Sequence, residues 1–453
     1  MTPRSPRVCV IGAGSSGIAS CQVLNARGIE FDCFEKGSEV GGNWRYLNDN
    51  GMSAAYESLS INTSRRIMEY AAYPMPDSYP DFPTHRQIAA YFDSYVEAFG
   101  FRDRIRFRTE VTHVQRGGEG GWDVTLDDGT TTTYDAVMVA NGHHWDARWP
   151  EPAFPGEFAG DETHAHHYKT PEGYEGKRVL VLGIGNSACD IAVETSRVSE
   201  QTFIAMRRGA WVIPKYFGST PSDEIAPEWL SARLPFRLQR WLFQQKIKSS
   251  NGKPQDFGLP KPDHKFGEAH PTVSSDLYGR IGHGKVKVKP NIQRLEGDSV
   301  RFEDGSVERI DKIVYCTGYK ISFPFFDSSL IDPSGDNRIE LYRRVVHPDL
   351  PGLFFMGLIQ PLYAIMPLVE LQSEWVGDLL EGTVRLPDRP TMTADIAGEQ
   401  AAMRKRYVAS KRHTIQVDGV PYKGQLKDER KRYRAAPDAG APPPRGREPV
   451  GAK

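Results

Sequence analysis

The 453 residues contain no apolar run near the ~20 that a membrane-crossing helix needs, so a soluble protein is expected. Cysteine is scarce: Cys9, Cys21, Cys33, Cys189 and Cys316 are the whole set. They are widely spaced, with no Cys-x-x-Cys pair and no secretory signal ahead of them. That argues against a disulfide framework or a zinc site and for a reducing cytoplasm. An excess of one charge is also lacking, since 57 Lys and Arg face 58 Asp and Glu, a formal net charge of -1. Such a balance gives no reason to expect a nucleic-acid partner. With 39% hydrophobic residues the chain is expected to fold through most of its length. The Ala/Pro/Gly-rich stretch 434–453 is the exception and reads as a disordered tail.

What the sequence does contain is a repeated glycine signature. Val8-Cys9-Val10-Ile11 is a short apolar run that stops at Gly12-x-Gly14-x-x-Gly17 and gives way to a helical pattern from Ile18. The first glycine permits a tight turn, the second lets backbone approach a pyrophosphate, and the third allows close helix-strand packing. The next strand ends at Glu35, where an acid can bond a ribose hydroxyl. A second unit runs from Val179-Leu180-Val181-Leu182 into Gly183-Ile184-Gly185-Asn186-Ser187. Its following strand ends instead in Arg207-Arg208, which suits the 2′-phosphate of NADPH.

A second repeat supports two domains. Asp128-Gly129 followed by Asp135–Gly142 is echoed by Asp304-Gly305 followed by Asp311–Gly318, each reading as a hairpin turn and a buried returning strand. The predicted fold class is α/β, with two Rossmann-like dinucleotide-binding domains and the NADP domain inserted in the FAD domain. The expected boundaries are 1–168 for the first part of the FAD domain, 169–316 for the NADP domain with an insertion at about 215–271, and 317–433 for the return. Leu230, Leu234, Leu238, Trp241, Leu242 and Phe243 predict a helix over 229–246, read as packed on its own domain; a lid, membrane-surface face or dimer contact are the other readings.

Two dinucleotide sites on one chain imply hydride passage from a nicotinamide to a flavin. A disulfide reductase would need a redox cysteine pair close in sequence, which is missing, so oxygen chemistry is favoured. Phe158-x-Gly160-x-x-x-His164-x-x-x-Tyr168 then resembles the fingerprint of the flavin-containing monooxygenases. Gly41-Gly42-Asn43-Trp44, Gly185-Asn186-Ser187 and Cys316-Thr317-Gly318-Tyr319 are similar to that family's flavin stretch, NADP turn and domain-return strand. Ketone-oxidising Baeyer-Villiger relatives usually close the fingerprint with tryptophan, so Tyr168 favours the branch that oxidises nitrogen and sulfur.

The resemblance implies that NADPH reduces FAD, that oxygen adds to form a C4a-hydroperoxyflavin, and that an amine or thioether of a small molecule attacks the distal oxygen. It implies no metal; the alternative that His164, His166 and His167 bind one has no cysteine or carboxylate partners at ligand spacing. His164 is instead expected to hold the domains in orientation. Asn62, in Tyr56–Ser64, is implied beside the flavin and nicotinamide ribose as the active-site amide, able to donate and accept hydrogen bonds without changing charge. Gly42, Trp44 and Gln360 are implied as further FAD contacts, and Leu371–Trp375 as a helix against the flavin, with Ser373 where many members have alanine. Baeyer-Villiger oxidation and an uncoupled NADPH oxidase remain as alternatives, and a homodimer is compatible.

Overall fold

The computed structural model describes residues 5–118, 120–225, 235–362, 364–406 and 414–435. The elements that position the site begin with β1 (Arg7–Ile11), α1 (Ser15–Arg27), β2 (Glu30–Phe34), α2 (His85–Phe99), β3 (Ile105–Arg106) and β4 (Ala136–Val139). Then come β5 (Asp161–His164), β6 (Arg178–Leu182), α3 (Asn186–Thr195), β7 (Gln201–Ala205), α4 (Phe236–Asn251), β8 (Val286–Lys289) and β9 (Lys312–Tyr315). β10 (Leu353–Phe355) and α5 (Met366–Leu380) complete the set.

The strands form two parallel five-stranded sheets, ordered β10-β4-β1-β2-β3 and β5-β9-β6-β7-β8. Strands buried on both faces explain the uninterrupted apolar runs. In the first sheet Val8 and Val10 point into the cluster that holds Ile18, Leu24 and Trp375, while Cys9 and Ile11 point into one with Val114, Trp122 and Val124. The second sheet repeats the plan: Val179 and Val181 meet Ala188 and Ile191 of α3, and Leu180 and Leu182 meet Val300 and Phe302. Both Asp-Gly pairs are hairpin turns, between Trp122–Leu126 and Thr131–Tyr134 and between Ser299–Phe302 and Val307–Arg309. The apolar runs after them are the inner strands β4 and β9, each next to the strand at the sheet's centre.

The chain leaves the first sheet after β4, builds the second, and returns at β10. The outgoing and returning segments pair antiparallel, Ala147 opposite Tyr319 and Asp146 opposite Lys320. The His164 ring, fully buried, lies against Trp149 and Tyr319 of those two segments, at centroid distances of 5.7 and 5.4 Å. Its Nδ1 accepts from the His166 amide at 3.1 Å. Burial, and then the neighbouring His166 and His167, push the His164 pKa down to about 4. The ring is therefore neutral near pH 7.

The predicted helix forms as α4 from Phe236; Trp229, Leu230 and Leu234 lie outside the described residues. Phe243 and Ile247 pack with Trp211, Ile213 and Phe217, whereas Leu238, Trp241 and Leu242 are exposed. Of the stretch 434–453 expected as a tail, Arg434 bridges to Val384 and the Ala435 amide donates to Thr383 O. Residues 436–453 lie outside the described residues.

A histidine kept neutral by burial costs stability in acid, because the unfolded chain takes up a proton that the folded chain refuses. The contribution is complete above the ordinary value of 6.5 and declines as pH falls toward about 4. His164→Gln removes that term. Denaturant unfolding is expected to find the variant less stable at pH 7.5, with the gap to wild type narrowed by about 2 kcal/mol at pH 4.5.

Candidate functional site

Two places share one local construction. At the first, β1 turns through Gly12, whose φ of +95° disfavours a side chain; a Cβ there would stand 2.8 Å from Ala140 O. Gly14 is the N-cap of α1 and offers no side chain to the helix. A Cβ on Gly17 would overlap the Gly12 carbonyl, so only glycine lets α1 press onto the turn. The second site repeats this, with Gly183 at φ +136° over Cys316 O and Gly185 as the N-cap of α3. Neither helix has a side-chain cap or an acid in its first turn. By contrast α2 begins with a full capping box from Thr84 and Gln87.

Bare N–H groups at a helix start, at the carboxyl edge of a parallel sheet, form a cradle for phosphate. Gly42 completes the first cradle, since a Cβ on it would come 3.0 Å from Gly14 Cα, and the Gly41 amide donates to Ala13 O at 3.0 Å. Gly42, Asn43 and Trp44 make a short 3-10 turn with Trp44 half-buried. Glu35 is buried beside them: one oxygen accepts from the Ala13 amide at 2.8 Å, and the other from the Gly37 amide and from Asn50 Nδ2. A carboxylate has about four acceptor positions, so these bonds leave room for a ribose hydroxyl. The residues present fit a flavin dinucleotide.

The return segment reaches the same cradle. A Cβ on Gly357, just after β10, would overlap Ser16 Oγ. Gln372, fully buried on α5, accepts from the Gly357 amide at 2.9 Å and donates to Tyr422 Oη at 2.7 Å. Ser373 sits between α5 and α1, its hydroxyl 3.2 Å from Ser20 Oγ, so the serine is accommodated by a polar partner. Gln360 is half-buried at the start of a short strand paired with Gln416. Sequence reasoning did not single out Gln372, the residue that holds the turn.

At the second cradle the Asn186 carboxamide is turned toward the protein, accepting from the Val273 amide at 2.8 Å, while Thr272 Oγ1 donates to Ile184 O at 2.6 Å. Ser187 lies half-buried in the first turn of α3. Arg207 and Arg208 are both exposed beyond β7. Arg208 pairs loosely with Asp263 at 3.5 Å, whereas Arg207 has no ion-pair partner among the described residues. That free guanidinium fits a 2′-phosphate.

The loop that carries Asn62 is tied to both halves of the chain. Asn62 is half-buried, and its side chain has no hydrogen bond to another described residue. Its neighbours are held from both halves. The Ile61 amide donates to Pro83 O and the Arg65 amide to Asp81 O. From the other half, Lys215 Nζ donates to Ser60 Oγ at 2.6 Å and Ile61 O at 3.1 Å, and Asp223 accepts from the Ser64 amide at 2.7 Å. Helix α3 adds Asp190, which accepts from Tyr56 Oη at 2.5 Å, and Glu194, which accepts from Ser58 Oγ and from the hydroxyl of Tyr168. Burial pushes Asp190 up to about 6, opposed by the Tyr56 hydroxyl and Lys215. Burial lowers the Lys215 pKa, with Asp190 and Asp276 opposing. These ties were not legible in the sequence, because Lys215 and Ser60 lie 155 positions apart.

Among the described residues there is no group of His, Cys, Asp and Glu that could hold a metal, and no helix long and apolar enough to cross a membrane. The profile of the family described as Flavin-binding monooxygenase-like matches residues 5–432. Flavin-containing monooxygenase 5 of Homo sapiens is 39% identical over 93% of this chain and 82% of its own length. Dimethylaniline monooxygenase [N-oxide-forming] 2 of Rattus norvegicus is 36% identical over 93% and 82%. Among solved structures, S-allyl-L-cysteine S-oxygenase from Allium sativum superposes with a TM-score of 0.70 at 26% identity, covering 96% of this chain and 90% of that one. A steroid monooxygenase bound to NADP shares the fold, with a TM-score of 0.71 at 19% identity over 94% of this chain and 97% of that one. The two glycine cradles, the linker fingerprint and this likeness over nearly the whole length agree: the chain belongs to the flavin-binding monooxygenase family, enzymes that work with FAD and NADPH.

Proposed function

We propose that this chain adds one oxygen atom from O2 to a soft nucleophile, the nitrogen of an amine or the sulfur of a thioether in a small molecule, with Asn62 as the amide beside the reacting ring. The observation that carries this reading is the pair of uncapped helix starts at two glycine turns, with an Asn62 side chain that has no partner among the described residues on a loop tied to both halves. The names of the relatives agree in kind, one N-oxide-forming and one an S-oxygenase. Tyr168, where ketone-oxidising relatives usually carry tryptophan, points the same way. A cytoplasmic setting fits five cysteines of which none is in a disulfide.

In this reading the amides at the start of α1, with Gly12, Gly14, Gly17, Gly42, Glu35, Trp44 and Gln360, hold FAD. Gly183, Gly185, Asn186, Ser187, Arg207 and Arg208 hold NADPH. Once bound, the two cofactors supply the hydride and the oxygen chemistry. The chain's own residues bind, orient and exclude water. An amide suits the position of Asn62 because it bonds to either a donor or an acceptor and keeps its charge at every working pH. A carboxylate or ammonium there would impose a fixed charge on a site that must stabilise a changing one.

Three outcomes test the proposal. With NADPH, oxygen and a thioether or tertiary amine, the oxide is expected to form in proportion to the NADPH consumed; peroxide in its place, or an ester from a ketone as the better product, would count against it. Asn62→Ser is expected to retain FAD and NADPH binding while most of the NADPH goes to hydrogen peroxide, read by a peroxidase-coupled assay. Arg207→Ala is expected to lower kcat/KM for NADPH about tenfold to a hundredfold, the value of a charge-assisted bond. NADH turnover is the internal control and should change little.

A further inference from the structure

The ties around Asn62 differ in origin. Pro83 O and Asp81 O belong to the segment before α2, in the same half of the chain as Asn62. Lys215 and Asp223 come from the segment after β7, which belongs to the other half and flanks a short hairpin, Tyr216–Phe217 with Thr220–Pro221. Their targets are specific. Lys215 donates to the carbonyl of the peptide joining Ile61 to Asn62, and Asp223 accepts from the amide of the peptide joining Thr63 to Ser64. Peptide units are planar, so holding one atom of each restricts the whole unit. Between them only the dihedrals of Asn62 and Thr63 stay free. The Lys215 anchor is the firmer of the two: its ammonium is half-buried, reaches Ser60 Oγ as well, and lies 5.0 Å from the centre of the Phe82 ring. Asp223 is exposed.

The same segment is tied to the nicotinamide half. The Lys215 amide donates to Ser275 Oγ, and the Ser274 amide donates to Ile213 O. Thr272 and Val273, just before, are the residues bonded to Ile184 and Asn186 of the second glycine turn. A continuous set of contacts thus runs from the second cradle through 272–275 and Lys215 to the peptide that orients Asn62. We propose that Lys215, with Asp223 as a secondary anchor, is a positioning residue that sets the Asn62 amide from the NADPH half, so that the placement of this amide depends on the seating of the second dinucleotide. The inference rests on Asn62 acting as the amide of the reacting site.

The test compares Lys215→Met, Lys215→Arg, Asp223→Asn and Asn62→Ser in the full-length, FAD-loaded protein. Three readouts are taken: hydrogen exchange of the peptide covering residues 59–66, hydrogen peroxide released per NADPH, and the change in the flavin bands when NADP+ is added. Lys215→Met keeps the aliphatic stem and removes the donor. It is expected to speed exchange in that peptide about tenfold, to raise peroxide release severalfold, and to blunt the change in the flavin bands when NADP+ is added. FAD content and the melting temperature should stay near wild type. Lys215→Arg, which still donates, should restore all three readouts, and Asp223→Asn should move them less. Unchanged exchange in Lys215→Met, or faster exchange with wild-type peroxide release, overturns the inference. A loss of FAD or fold in Lys215→Met that Lys215→Arg does not rescue also overturns it, because the lysine would then be structural. If Asn62→Ser itself releases no more peroxide than wild type, the reading of Asn62 fails and takes the inference with it. Peroxide release in Asn62→Ser together with a silent Lys215→Met sinks only the positioning role.

Discussion

The first turn of an α-helix leaves backbone N–H groups with no intrahelical acceptor, and α1 and α3 leave them without a side-chain cap as well. Such groups need a partner from outside the helix. Both helices start at the carboxyl edge of a parallel sheet, after a turn that glycine allows: a Cβ on Gly12, Gly17 or Gly183 would collide with backbone. The sheets keep these starts in place because they are buried on both faces, so neither strand nor helix can shift without exposing apolar surface. Each of the two starts is therefore built to take an outside acceptor, and the phosphates of a dinucleotide fit that need.

The two halves are close copies in architecture and differ in the residue that closes the strand after the glycine turn. In the first, an acid follows the second strand and is already bonded to the turn it faces, so Glu35 organises the cradle and keeps acceptor positions that fit a ribose hydroxyl. In the second, Met206 takes the equivalent place and Arg207, one residue further on, has no ion-pair partner among the described residues. Contacts between the halves converge on residues 56–64 and on the paired linkers at 146–148 and 318–320. The linker fingerprint takes on a physical meaning there. His164 packs on both linkers as a neutral ring, and Tyr168 donates to the same Glu194 carboxylate that holds Ser58.

What could be read from the sequence was what is local in it. Each glycine turn spans a few residues between a strand and a helix, so Gly12, Gly14 and Gly17, and their counterparts Gly183 and Gly185, were legible with their partners Glu35 and Arg207. The hairpins at Asp128-Gly129 and Asp304-Gly305 were legible for the same reason. Asn62, Gly42, Trp44 and Gln360 came from family resemblance, since nothing in their own spacing marks them. The residues that hold those positions were not legible. Gln372 supports Gly357, Lys215 supports Ile61, and Asp190 and Glu194 support the loop before Asn62, each through a contact between distant parts of the chain that only the packed structure brings together. Asn186 shows the limit of a motif: the sequence places it at the turn, and the fold spends its carboxamide on Val273.

If one chain seats two dinucleotides, a hydride can pass from one to the other. Anaerobic addition of NADPH to the FAD-loaded protein, followed through the visible flavin bands, tests it most directly. The bands are expected to bleach in proportion to NADPH, one NADPH for each FAD, and to recover on admitting air. Flavin that stays oxidised in the presence of excess NADPH would contradict it.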